Sequence, residues 1–137
     1  MAPPDRGWIR GMVLLAVVAC SDPPTAAVLD EVPDLRVITE VVEPAATIQL
    51  RLENDAAAGA TFLAPACATT FEQFVGGGWQ AIGTPPPCSG IPLTIAAGAS
   101  FDYVVEAPGT AGLWRAVLNG TVAGRSFITR SAGVEVR

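Results

Sequence analysis

The sequence predicts an all-β, two-layered antiparallel sandwich, and three observations lead there. Between Thr47 and Asn54 the apolar Ile48, Leu50 and Leu52 alternate with Gln49, Arg51 and Glu53, the period of two that marks a half-buried strand. From Leu35 onward similar short extended runs follow one another, separated by Gly, Pro, Asn and Asp pairs that favour tight turns. No stretch of this region repeats its apolar residues at the spacing of a helix face. Many short strands with turn residues between them imply a sandwich or barrel.

Taken in order, the first strand is expected over Leu35–Val42, with Leu35, Val37 and either Val41 or Val42 inward. Thr47–Asn54 follows, then Ala60–Leu63, Thr70–Val75, Trp79–Ile82, Pro92–Ile95, Ser100–Glu106, Gly112–Leu118 and Arg125–Thr129. Val134–Val136 ends the chain. Turns are expected at Asn54-Asp55, at the glycine run 76–78, at Ala97-Gly98, at Pro108-Gly109 and at Asn119-Gly120, the last as a type I′ hairpin turn. Ala56, Ala57 and Ala58 favour a helix locally, but Gly59 cuts them off and they read as a loop tip. Trp79, Phe101, Tyr103, Trp114 and Phe127 fall in strand-like runs, where large rings fill the space between sheets. An exposed, carbohydrate-binding Trp79 is the functional alternative, because the glycine run leads into it.

Ahead of this domain, Arg6 and Arg10 precede an uncharged run from Gly11 to Ala19, which closes as Val17-Val18-Ala19-Cys20. The run is too short to span a bilayer, which takes about 20 apolar residues, and it has the basic and apolar regions of a secretory signal. It resembles the signal peptide and lipobox of a bacterial lipoprotein. That resemblance implies cleavage before Cys20, a diacylglycerol on its sulfur, and anchoring to a membrane. Two or more acyl chains hold firmly where one binds marginally, at about 0.8 kcal/mol per buried methylene. Ser21 after the cysteine is compatible with outer-membrane sorting, whereas Asp22 lies one residue too late to imply inner-membrane retention. Residues 1–19 are thus expected to be the signal peptide and residues 20–34 a Pro-containing tether. Residues 35–137 form the domain.

Charge and composition exclude several functions. The 137 residues carry 13 acids, eight arginines, no lysine and no histidine, for a formal charge of −5. Without residues 1–19, twelve acids face six arginines. Such a surface has no basic patch for phosphate, so nucleic acid is not an expected partner. The missing side chains remove the Schiff-base amine, the commonest general base and the commonest transition-metal ligand. Ser89, Ser100 and Ser131 have nothing in sequence to activate them. Asp102 and Glu106 would share a strand face about 13 Å apart, too far for a glycosidase pair. No catalytic residue, metal site or cofactor is expected, and the protein is read as a non-enzyme.

With Cys20 assigned to lipid, Cys67 and Cys88 remain as an even pair in a chain bound for an oxidising compartment, and a disulfide between them is expected. Zinc ligation by the same thiols is the alternative, but such a site wants four ligands. The tether acids Asp22, Asp30 and Glu31 lack the regular spacing of a calcium loop. Asn119-Gly120-Thr121 formally matches a glycosylation acceptor, although a turn explains it better.

The runs Leu50-Arg51-Leu52-Glu53-Asn54, Gly78-Trp79-Gln80, Ile95-Ala96-Ala97-Gly98-Ala99-Ser100 and Gly112-Leu113-Trp114-Arg115 resemble those of bacterial immunoglobulin-like domains in exported lipoproteins. The resemblance covers roughly residues 35–137 and implies an immunoglobulin-like antiparallel β-sandwich. Trp114 stands where tyrosine is usual, so the tyrosine-corner hydrogen bond of such folds does not carry over. The pattern is also similar to the intracellular proteinase inhibitor domain of bacilli, a role at odds with an exported leader. Three functions follow as expectations. The first is a lipid-anchored interaction or structural module of the cell envelope, partnered by an envelope protein or polymer. The second is a proteinase-inhibitor-like domain using a loop within Ala64–Gly90, and the third a calcium- or carbohydrate-binding sandwich.

Overall fold

The computed structural model describes residues 31–83 and 87–137; the expected signal peptide, Cys20 and the tether through residue 30 lie outside the described residues. Two sheets pack face to face. The small sheet has the order β1-β3-β8, formed by β1 (Asp34–Val37), β3 (Thr47–Glu53) and β8 (Ser100–Glu106). The large sheet contains β2 (Val41–Val42), β4 (Ala60–Leu63), β5 (Thr70–Val75), β6 (Gly78–Ala81), β7 (Pro92–Ile95), β9 (Gly112–Val122), β10 (Arg125–Arg130) and β11 (Val134–Val136). All pairings are antiparallel except β2 with β11. The chain changes sheet at β1/β2, β2/β3, β3/β4, β7/β8 and β8/β9, which wraps both layers around one core.

The alternation read in the sequence sets that core. Ile48, Leu50 and Leu52 of β3 are fully buried and face Phe62, Trp114, Ala116, Leu118, Val134 and Val136 among the large sheet's inward residues. The expected strand over 35–42 is two strands. β1 pairs with β3 in the small sheet, then the chain crosses at Ile38–Glu40 so that β2 joins β11 in the large one. Val42 is inward and Val41 is exposed.

β9 is the spine of the large sheet, and it runs further than expected. The turn assigned to Asn119-Gly120 is instead strand, paired with Ile128 and Phe127 of β10. The reversal comes at Ala123 and Gly124, both at positive φ (49° and 75°), as a two-residue hairpin of the I′ kind requires. Gly120 serves packing. A Cβ there would lie 2.5 Å from Phe127 Cζ and 2.8 Å from Phe62 Cε1. Those two rings meet edge to face at 5.6 Å over the vacant position, so Phe62 is a main core aromatic that the sequence reading passed over. Of the rings expected between the sheets, Tyr103, Trp114 and Phe127 are buried there, whereas Phe101 is partly exposed at the strand end and Trp79 lies on the outer face.

Two polar devices close the ends. At the β3–β4 end, buried Asn54 donates through Nδ2 to Ala58 O and Ile95 O (2.9 Å each) and accepts from Ala56 N–H at 3.1 Å. Its backbone bonds to Ala99 O and Gly98 N–H, so one residue joins three chain segments from both sheets. At the other end, Trp114 Nε1–H donates to Thr110 O at 3.0 Å. An indole thus ties the β8–β9 corner. Ser131 bridges the step from β10 to β11, its Oγ accepting from Ala116 N–H and donating to Ala132 O, both at 2.8 Å. Its hydroxyl is spent on structure.

Replacing Asn54 by Asp keeps the shape but turns two donor bonds into carboxylate–carbonyl repulsion. The variant is expected to lose at least about 2–3 kcal/mol, the cost of leaving buried partners unmet, seen as a lower urea midpoint at unchanged m-value.

Candidate functional site

Trp79 sits on β6 with its side chain on the outer face of the large sheet, because Trp79 pairs with Phe74 of β5 and that parity faces away from the core. The two rings pack edge to face at 5.3 Å. The Arg115 guanidinium lies 4.5 Å from the Trp79 ring centroid, a contact of about 0.5–2 kcal/mol according to its desolvation. Arg115 Nε donates to Glu72 Oε2 at 2.6 Å, with Arg130 Nε 3.8 Å from the other oxygen. The register makes this possible, since Glu72 of β5 stands directly opposite Arg115 of β9. Trp79 is therefore half-buried, with one ring face engaged by its own chain. Partly exposed Phe74 and Leu113 flank it, so an apolar patch borders a charged cluster. The sequence named Trp79 alone; Arg115 and Glu72 are invisible as partners without the β5–β9 register.

Cys67 and Cys88 are joined as a disulfide, with Cα atoms 5.7 Å apart. Each sulfur is consumed by the other, which removes the pair as metal ligands. Cys67 belongs to α1 (Pro65–Ala68), a single helical turn that the sequence reading did not include. Proline at its first position suits a helix start, where no N–H is needed. Cys67 is exposed and Cys88 half-buried, so the bridge fastens the outside of the fold. Inward of it, Thr69 Oγ1 donates to Pro65 O at 2.7 Å. That spends its one proton, so Tyr103 Oη must be the donor in their 2.8 Å contact. This relay joins α1 to β8 of the opposite sheet. Burial pushes the Tyr103 phenol up to about 12.

Half of the described carboxylates are committed to arginines. Arg51 donates to both oxygens of Asp102, at 2.6 and 2.9 Å across β3 and β8. The hydrogen bonds, then charge attraction, hold the Asp102 carboxyl below its usual range and Arg51 above its own. Asp34 and Glu53 flank Arg36 at 3.0 Å each, and Glu135 pairs with Arg137. Among the described residues no three His, Cys, Asp or Glu side chains converge on a metal position. Glu31 does not join such a group; Asp22 and Asp30 lie outside the described residues.

The concavities are shallow. A groove of about 670 Å³ crosses the outer face of the large sheet between Leu63, Pro92, Asn119 and Ile128. A cleft of about 480 Å³ opens at the sandwich mouth beside Phe71, Ile82, Glu106 and Trp114. Among the described residues Glu106 is the one ionisable group lining that cleft. The segment expected to offer an inhibitory loop, Ala64–Gly90, holds α1, β5 and β6 among its described residues.

Comparison with known protein families finds no matching family model, and comparison with curated proteins finds no matching sequence.

Two outcomes are expected. Tyrosinate absorbance should show Tyr103 titrating at about 12. Since its pKa is raised in the folded chain, its contribution is whole below pH 10 and fades toward pH 12, where stability should have fallen by about 2–3 kcal/mol. Replacing Cys67 and Cys88 together by alanine opens a 21-residue separation and should cost about 3 kcal/mol in chain-entropy terms, read from urea unfolding with and without reductant.

Proposed function

We propose that the chain is an exported bacterial lipoprotein, cut before Cys20 and held by acyl chains on that sulfur, at the outer membrane rather than the inner. Its sandwich, an immunoglobulin-like domain on this reading, acts as a non-enzymatic interaction or structural module for an envelope protein or polymer. The observation that carries the reading is the run Val17-Val18-Ala19-Cys20 behind two arginines and a short apolar stretch. A bridge formed by an exposed Cys67 and a half-buried Cys88 supports it, because such bonds persist outside the reducing cytosol.

The geometry is compatible with tethered presentation. β1 starts at the end of the sandwich that carries the 54–59 loop and the 123–124 hairpin. The glycine hairpin at 76–77 and the corner at 107–111 occupy the opposite end. A tether entering at Asp34 would leave those outer loops and both sheet faces to partners. Parallel β2–β11 pairing and the Trp114 corner bond favour the immunoglobulin-like reading within the sandwich class.

Mass spectrometry of the native polypeptide tests the proposal. The expected N-terminal peptide begins at Cys20 and carries a diacylglycerol, and Cys20→Ser should leave the leader uncut. An intact leader in the native chain, or a free thiol at position 20, would overturn it.

A further inference from the structure

We draw no further inference here: the strongest candidate, the shallow groove across the outer face of the large sheet between Leu63, Pro92, Asn119 and Ile128, carries none because nothing in the structure shows what covers it.

Discussion

Everything in the large sheet hangs on β9 carrying four partners. Its first half lies between β5 and β11, its second between β4 and β10. An eleven-residue strand can serve both pairs only if its inward residues fit a core that changes depth along its length. Trp114, Ala116, Leu118, Gly120 and Val122 do so by alternating bulk with near absence. The two small positions admit rings and aliphatics from the other strands, and the large ones share one buried core with Ile48 and Leu50. Failure of this strand would separate hairpins that cannot bury enough surface alone.

Charge is arranged around the same framework. Arg115 and Glu72 meet because β9 and β5 are in register, and Arg51 and Asp102 because β3 and β8 are. Both pairs occupy outer faces, where the Coulomb gain is modest and screened. Their value is positional. Arg115 fixes the plane of Trp79, and Arg51 neutralises the middle of an edge strand. An acidic protein with few cations thus places them where they shape a surface.

How much of this was readable before the fold was known depends on the physics of each element. Ile48, Leu50 and Leu52 announced β3 because burial on one face imposes a period of two. The glycine run 76–78 announced its hairpin because Gly76 and Gly77 take positive φ that side chains resist. Asn119-Gly120 misled because the same dipeptide serves a turn or a close ring approach, and only tertiary packing tells them apart. The split of 35–42 was hidden since both sheets ask for apolar residues there. Of the candidate site, Trp79 and the cysteine pair were visible as residue types. Arg115 and Glu72 were not, for their pairing depends on strand register, a long-range property that no local pattern carries.

The vacancy at Gly120 has an evolutionary corollary. Any residue larger than hydrogen at that point must be matched by a smaller ring or an aliphatic at Phe62 or Phe127, since both edges converge on it. The three positions form a lock whose tumblers turn together, spaced 58 and 7 residues along the chain. A change of bulk at any one of the three is therefore expected to be tolerated only together with an opposite change at another.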